Sequence, residues 1–383
     1  MTPAHETPAI LSYLHDMAKQ GGSDLYLTVG CPPTLRIEND MKEMSAEKLT
    51  PLDMENILSA VLTSRQKREF EMKMEMNSAL DMGEHGRFRL NIMKQRQHPA
   101  LVIRRIVSKI PTIAELNLPP LLEQLVMEKR GLVLLTGITG SGKSTTLASM
   151  VDYRNQNQHG HIITIEDPIE YYHEHKKSVV TQREVGVDTE SFSVAMKNSL
   201  RQRPDVIMVG EIRDREVMEQ ALTIAETGHL CLATIHTNNA YQAIERIVNL
   251  FPEELVNQIR LNLSMNLNAI ISQRLIPGKG SKLVPASEVM LNQGFVRELI
   301  LSGEINKIKE VMEQNTTLGM CTFDQCLIDL FERGLISEET ALSNSDRPSD
   351  MKIKLQQSDM VSKDTVKDSA LRQIDTSYIK LGD

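Results

Sequence analysis

Residues 137–144 read Gly-Ile-Thr-Gly-Ser-Gly-Lys-Ser, which matches the G-x-x-x-x-G-K-S pattern of a phosphate-binding loop. Glycines allow the backbone to wrap closely around phosphates and to point its N–H groups at them. In such a loop the Lys143 ammonium reaches the β- and γ-phosphates of a nucleotide, and the Ser144 hydroxyl binds Mg²⁺. The pattern therefore predicts a site for ATP or GTP with Mg²⁺, built from Gly137, Ile138, Thr139, Gly140, Ser141, Gly142, Lys143, Ser144 and Thr145.

Two carboxylates follow apolar runs and are candidates for hydrolytic chemistry. Hydrolysis needs a carboxylate that orients a water in line with the γ-phosphate, and Glu211, just after the run 206–209, is the first candidate. A usual Walker B strand ends in Asp-Glu, but Gly210 stands here in place of the Asp. Glu166 ends another apolar run. Both glutamates are predicted to act in catalysis and to hold Mg²⁺, directly or through water, and the sequence leaves open which is the base.

His236 follows the apolar run 230–235. A histidine that ends a strand beside a nucleotide is placed to contact the γ-phosphate, and we interpret His236 as such a sensor. A role within the core is the alternative.

Four arginines lie on two predicted strands far in sequence from the phosphate loop: Arg87, Arg89, Arg104 and Arg105. Strand alternation puts Arg87 and Arg89 on one face. Composition alone favours a solvated strand edge with salt bridges. The alternative is a set of arginine fingers that reach a nucleotide in the same subunit or in a neighbour.

The elements around these residues alternate between strand and helix, as in an α/β sheet. Apolar runs predict buried strands at 131–136, 161–166, 206–209 and 230–235, and a helix follows the phosphate loop. Ligands of such sheets lie beyond the carboxyl ends of the strands. We therefore expect Glu166, Glu211 and His236 at the sheet edge that carries Lys143. A further amphipathic helix is predicted at 253–275.

The preceding region has a mixed pattern and no nucleotide signature. Helices are predicted at 8–20 and 50–75, and strands at 24–29, 34–37, 87–93 and 100–106. We predict an α+β domain at 1–110, a proline-bearing linker at 111–120, an ATPase domain with a C-terminal helical part at 121–350, and a polar, loosely ordered tail at 351–383.

Composition excludes several classes of function. A net charge of −8 argues against broad binding to nucleic acid or to anionic membranes. The sequence contains no apolar run of membrane-spanning length and no signal-peptide pattern, so we expect a cytoplasmic protein without direct membrane insertion. The four cysteines lack C-x-x-C spacing and are expected to be reduced thiols rather than a disulfide or zinc framework.

Four ordered motifs together resemble one family: GITGSGKS (137–144), ITIEDPIEY (163–171), VIMVGEIRD (206–214) and TGHLCLATIHTNNA (227–240). They are similar to the Walker A, Asp box, atypical Walker B and His box of the ATPases that drive type IV pili and type II secretion. Three more stretches resemble the PilT/PilU retraction branch: GGSDLYLTVGCPP (21–33), GRFRLNI (86–92) and TFDQCLIDLF (322–331). The stretches 180–192 and 226–234 look more like the PilU members than the PilT members.

This resemblance implies a homo-hexameric ring of subunits, each with a PAS-like first domain and a RecA-like second domain, with ATP between the domains. It makes Arg89 and Arg104 the arginines expected to reach the nucleotide. The motor would lie beneath the inner-membrane platform protein of the pilus, peripheral to the membrane, and would depolymerise the pilus. The likeness to PilU members implies an accessory role alongside a related PilT motor.

Two departures from the family bear on this interpretation. The retraction motif AIRNLIR of the PilT branch is present only as Phe-Val-Arg-Glu-Leu-Ile-Leu at 295–301. The tetra-cysteine module of the extension and type II secretion ATPases is missing, which weakens the interpretation as an extension or secretion ATPase. A small-molecule kinase stays open as a hypothesis, and so does an interaction subunit that binds ATP with little turnover of its own.

Overall fold

This computed structural model describes residues 9–37, 40–83, 86–106, 109–280 and 283–357. They fall in two compact units. The first takes in the described residues up to 110 together with 161–203, and the second takes in 111–160 together with the described residues from 204 onward. The limits predicted from the sequence, which are contiguous, stay a prediction.

The described helices are α1 (Ala9–Gln20), α2 (Pro51–Val61), α3 (Ser64–Lys73), α4 (Leu121–Met127), α5 (Lys143–Asn157), α6 (Phe192–Ser199), α7 (Arg215–Glu226), α8 (Ala240–Asn249), α9 (Val256–Asn266), α10 (Phe295–Ser302), α11 (Ile308–Gln314), α12 (Phe323–Glu332), α13 (Glu338–Asn344) and α14 (348–357). Among the described residues, no helix has the length and apolar character needed to cross a membrane.

The described strands are β1 (Asp24–Thr28), β2 (Thr34–Ile37), β3 (Asp40–Glu43), β4 (Glu75–Asp81), β5 (Arg87–Gln95), β6 (His98–Ile106), β7 (Gly131–Thr136), β8 (Gly160–Glu166), β9 (Ser178–Glu184), β10 (Val206–Val209), β11 (Leu230–Ile235), β12 (Leu267–Pro277) and β13 (Leu283–Leu291). Of these strands, β3, β4, β9, β12 and β13 were not predicted from the sequence.

The first unit contains an antiparallel sheet with the strand order β3-β2-β1-β6-β5-β4. Alternation along β5 buries Phe88, Leu90 and Ile92 and turns Arg87 and Arg89 to the other face, as predicted. The buried face packs with apolar side chains of α1, α2 and α3. Arginines on the opposite face are therefore available for polar contacts.

The predicted helix at 50–75 is wrong in its middle. α2 ends at Val61, and Thr63 begins α3 with a capping box: its hydroxyl accepts from the Gln66 N–H at 3.3 Å, and its own N–H donates to Gln66 Oε1 at 2.9 Å. This T-x-x-Q pattern satisfies N–H groups that a helix start would leave unpaired. The chain therefore begins a new helix at Thr63 instead of continuing α2.

The second unit is built on strands in the order β13-β12-β7-β11-β10. β10, β11, β7 and β12 run parallel, and β13 is antiparallel to β12. β7 and β11 are buried along their whole length, which matches their continuous apolar sequence. The first unit has an antiparallel sheet and the second a mainly parallel one. This confirms the predicted α/β class with a preceding α+β domain.

The predicted helix at 253–275 is wrong beyond Asn266. Leu267 begins β12, whose residues pair in parallel with β7, including Ile270 opposite Leu134. The four-residue spacing of leucines continued past the true helix end, but burial between β7 and β13 favours the β-branched isoleucines of this segment in a strand. The Asn292 side chain marks the boundary, since its Nδ2 donates to the Leu267 carbonyl at 2.8 Å.

The tail also differs from its prediction at its beginning. Residues 348–357 form α14, and Met351 and Leu355 are buried in a cluster with Phe323, Leu327 and other apolar side chains of the second unit. Two apolar residues four positions apart were enough to dock one amphipathic turn. The rest of the predicted tail, 358–383, lies outside the described residues.

Candidate nucleotide site

The phosphate loop adopts a backbone that only glycine accommodates. Gly137, Gly140 and Gly142 have φ values of 151°, 79° and 90°. A Cβ on Gly137 would lie 2.4 Å from both the Gln273 carbonyl oxygen and Ser141 Oγ. A Cβ on Gly142 would lie 2.8 Å from Gln273 Nε2. The loop therefore packs directly against Gln273 of β12.

Positive charge is concentrated where this loop meets α5. Lys143, 8% exposed, donates from Nζ to the Gly137 carbonyl at 2.7 Å and to the Ile138 carbonyl at 2.9 Å. It is also the first residue of α5, so its ammonium adds to the positive end of the helix dipole. A cation at that end is unfavourable until an anion joins it. These features fit the phosphates of a nucleotide.

The hydroxyls of the loop also fit a nucleotide with its metal ion. Ser141 Oγ is buried and has no hydrogen-bond partner among the described residues. Ser144 is exposed in the first turn of α5. Within the described part of the chain, no group of three or more His, Cys, Asp or Glu side chains could hold a metal by itself. Mg²⁺ at such a loop usually keeps several waters and binds substrate phosphates, and the role of Ser144 in holding it stays a prediction.

The structure brings Glu211 and His236 together. His236 Nε2 lies 3.2 Å from Glu211 Oε1, and Arg213 Nε donates to Glu211 Oε2 at 2.8 Å. Both residues follow adjacent parallel strands, β10 and β11, so the sheet itself makes the contact. Sequence reasoning missed Arg213, although its position two residues after Glu211 was a signal.

Two threonines connect this pair to the phosphate loop. Thr136, the last residue of β7, donates from its hydroxyl to the Thr237 carbonyl at 2.7 Å, and the Thr237 N–H donates back to Thr136 Oγ1 at 3.0 Å. Thr136 directly precedes Gly137, and Thr237 directly follows His236. The start of the phosphate loop and the residues that follow His236 are therefore fixed to each other.

The segment that follows His236, residues 237–240, is also held at its other end. The Ala240 N–H, at the start of α8, donates to Glu288 Oε1 of β13 at 2.8 Å. Ser272 Oγ donates to the same carboxylate oxygen at 3.2 Å. Burial raises the pKa of Glu288, and these two hydrogen bonds oppose that effect.

Gln273 is a site residue that sequence reasoning missed. It is 3% exposed, and its Oε1 accepts a hydrogen bond of 2.7 Å from Thr146 Oγ1 on α5. Its backbone and side chain also define the room available to Gly137 and Gly142. The prediction of a helix through 253–275 concealed it, because only a strand beside β7 carries this residue to the loop.

Glu166 belongs to the first unit, and the prediction that it lies beside Lys143 stays a prediction. Its carboxylate is buried and accepts from Thr164 Oγ1 at 2.6 Å and from Gln182 Nε2 at 3.2 Å. Burial raises its pKa to about 7, against the lowering effect of these hydrogen bonds. Glu166 thus exchanges a proton close to neutral pH.

Arg104 and Arg89 also belong to the first unit and lie opposite each other on β6 and β5. Arg104 Nε donates to Asp24 Oδ1 at 2.8 Å, and this hydrogen bond raises the pKa of Arg104. Burial raises the pKa of Glu184, and the nearby Arg89 and Arg87 partly oppose that rise. The Nε atoms of Arg87 and Arg89 are buried and have no hydrogen-bond partner among the described residues. The roles of Arg89 and Arg104 at a nucleotide stay predictions.

Comparison with known proteins identifies the family. Residues 15–359 match the model of the family described as Type II/IV secretion system protein. The chain belongs to this family. It is 47% identical to the type IV pilus ATPase PilU of Pseudomonas aeruginosa over 88% of both chains. It is 41% identical to the pilus retraction ATPase PilT of the same organism, over 86% of this chain and 96% of PilT.

A solved structure similar to this chain supports the fold. The crystal structure of the pilus retraction motor PilT with bound ADP has a TM-score of 0.83 and 42% identity, covering 89% of this chain and 98% of that one. The predicted resemblance to the PilT/PilU branch, and to its PilU members in particular, is therefore confirmed.

Proposed function

We propose that this protein is an ATP-hydrolysing motor of the type IV pilus machinery that powers or assists pilus retraction. The observation that carries the proposal is the contact between Glu211 and His236, which the Thr136–Thr237 hydrogen bonds fix to the start of the phosphate loop. A carboxylate held beside a phosphate loop is what hydrolysis requires. The matches to PilU and PilT support pilus retraction as the work that hydrolysis drives.

Each residue predicted from the sequence to act on the nucleotide in the second unit has a place in this reaction. Lys143 and the N–H groups of the loop bind the phosphates, and Ser144 binds Mg²⁺, which neutralises phosphate charge when present. Glu211 orients the attacking water and accepts its proton. His236 holds one oxygen of Glu211 in place, and Arg213 holds the other. Glu166 is the second candidate for the base and for contact with Mg²⁺.

We further propose a homo-hexamer that acts at the cytoplasmic side of the inner membrane, beside a related PilT motor and against the pilus platform protein. The identity to PilU, 47% against 41% for PilT, supports the accessory role. The altered motif at 295–301 also supports it. In α10 this segment buries Val296, Leu299 and Ile300 and exposes Phe295 and Leu301.

ATP turnover by the purified protein, together with its mass in solution, tests this function. We expect phosphate release without any added acceptor and a mass six times that of the subunit. A requirement for an acceptor molecule would identify a kinase. If the protein binds ATP tightly but shows no turnover, either alone or mixed with PilT, the alternative of an ATP-binding interaction subunit would be supported. Glu211→Gln serves as the control, because it keeps the shape of the site and removes the base.

A further inference from the structure

The start of α12 places two cysteines against each other. Thr322 begins this helix with a capping box: its N–H donates to Gln325 Oε1 at 3.0 Å, and the Gln325 N–H donates to Thr322 Oγ1 at 3.4 Å. In this motif the residue before the cap and the fourth residue of the helix pack together, usually as two apolar side chains. Here those positions are Cys321 and Cys326. The Cys321 thiol donates to the Thr322 carbonyl at 3.3 Å, and the two thiols are close enough for each to shift the pKa of the other.

Strand β13 fixes both cysteines independently of the helix. Cys321 exchanges two backbone hydrogen bonds with Val289, of 2.7 and 3.0 Å. Cys326 Sγ accepts from the Ser287 N–H at 3.3 Å. Ser287 and Val289 are two positions apart on one strand, so a single stretch of β13 anchors the thiol pair. Both side chains are partly exposed, which gives a small reagent access to them.

We propose that Cys321 and Cys326 form an oxidation site, at which a peroxide converts the two thiols into an intramolecular disulfide. The sequence predicted four reduced thiols because the cysteines lack C-x-x-C spacing and no signal-peptide pattern was found. The contact arises from the capping geometry together with the two anchors on β13.

The chemistry balances with hydrogen peroxide as the oxidant. Cys326 attacks first, since its interaction with the neighbouring Cys321 thiol and the hydrogen bond from the Ser287 N–H lower its pKa. Its thiolate displaces hydroxide from the peroxide and becomes a sulfenic acid. The Cys321 thiol then attacks the Cys326 sulfur, the S–O bond breaks, and the departing hydroxide takes up the Cys321 proton and leaves as water. Overall, two thiols and one peroxide give one disulfide and two waters.

The other two cysteines are internal controls. Cys231 is fully buried, and burial raises its pKa to about 12, so it is expected to be inert. Cys31 is partly exposed and belongs to the first unit, whereas Cys321 and Cys326 belong to the second.

Mass spectrometry of the full chain after brief peroxide treatment tests the site. Trypsin releases residues 310–333 as one peptide, which contains both cysteines. We expect this peptide to lose two hydrogen atoms and to resist alkylation until a reductant is added. The disulfide should form faster than Cys31 is oxidised, because the second thiol is held beside the first on β13. Methionine oxidation in the same peptide adds oxygen and is distinguished by mass.

Single variants separate the two steps. Cys321→Ser should accumulate a sulfenic acid on Cys326 that dimedone captures, whereas Cys326→Ser should give neither adduct nor disulfide. Circular dichroism of each variant establishes that it is folded, and Cys31→Ser should behave as the unmodified chain. Disulfides between chains, oxidation of Cys31 at the same rate, or unchanged alkylation of both thiols would each overturn the proposal.

Discussion

His236 Nε2 lies 3.2 Å from Glu211 Oε1, so the two side chains predicted to act on the γ-phosphate share a contact across adjacent strands. An imidazole in this position restricts the carboxylate to one orientation. The same carboxylate is held from its other oxygen by Arg213, at 2.8 Å. Two polar neighbours thus fix the proposed base, and its effectiveness depends on both.

We expect Glu211→Gln to bind ATP normally and to hydrolyse it about 10²- to 10⁴-fold more slowly, because an amide cannot accept the proton of water. His236→Ala should slow turnover about tenfold in the unmodified chain and have little further effect in Glu211→Gln, since the two act as a unit. Steady-state phosphate release and ATP affinity measure both effects. Normal turnover by Glu211→Gln together with an inactive Glu166→Gln would assign the base to Glu166.

Gln273→Ala should weaken ATP binding about tenfold, because it removes the buried hydrogen bond to Thr146 and the support beneath the phosphate loop. Titration calorimetry of nucleotide binding measures the change. Lys143→Ala removes the positive charge that binds the phosphates. It should abolish tight ATP binding and sets the lower limit of affinity for comparison. Gln258→Ala, an exposed glutamine on α9, is the matched control. Unchanged affinity in Gln273→Ala would make Gln273 a packing residue only.

Arg104→Ala should lower ATP turnover while the chain still folds. The Arg104 side chain is 68% exposed but that of Asp24 is only 6% exposed, so loss of their ion pair is expected to cost about 1–3 kcal/mol, with Ser23 Oγ still donating to Asp24 at 2.8 Å. If Arg104 acts on the site of a neighbouring subunit, mixing Arg104→Ala with Lys143→Ala subunits should restore part of the activity. Asp24→Asn removes the ion pair and keeps the arginine, so it separates the two roles. Full activity of Arg104→Ala would return this arginine to a solvated strand face.

Glu166 predicts a pH dependence of stability. In the folded chain its pKa is about 7, above the ordinary 4.5, so the folded state holds a proton that the unfolded state has released. Stability from this group is therefore complete below the unfolded pKa, falls as the pH rises to about 7, and stays lowered above it. Between pH 5.5 and 8.5, Glu166→Gln should gain about 2 kcal/mol relative to the unmodified chain.

Denaturant unfolding of both proteins across this pH range measures the gain. Glu190→Gln, at an exposed position of the same unit, should show no such change. Parallel pH profiles for Glu166→Gln and the unmodified chain would show that Glu166 titrates at its ordinary pKa.

The sequence was most informative where one interaction dominates. The parallel strands need continuous apolar runs and were predicted correctly. The predicted phosphate loop has glycines at positive φ, as such a loop requires, and its role at a nucleotide stays a prediction. Glu211 and His236 followed from the rule that ligands gather at one sheet edge.

Prediction failed where tertiary contacts decided between two local conformations. The segment 267–275 has a helical spacing of apolar residues, and only its burial between two strands makes it β12. Gln273 could not be recognised until that strand was placed. The contact of Cys321 with Cys326 likewise depends on anchoring to β13, a strand that the sequence did not predict.

Residues 237–240 are held at one end by Thr136 and at the other by Glu288. The conformational entropy of this segment is therefore lost when the chain folds, and none of it has to be lost again when a ligand arrives. Binding at this side of the site should then be limited by collision and desolvation rather than by loop ordering. Pre-steady-state association of a fluorescent nucleotide would accordingly show no slow isomerisation assigned to 237–240, and replacing Thr136 by Val would introduce one.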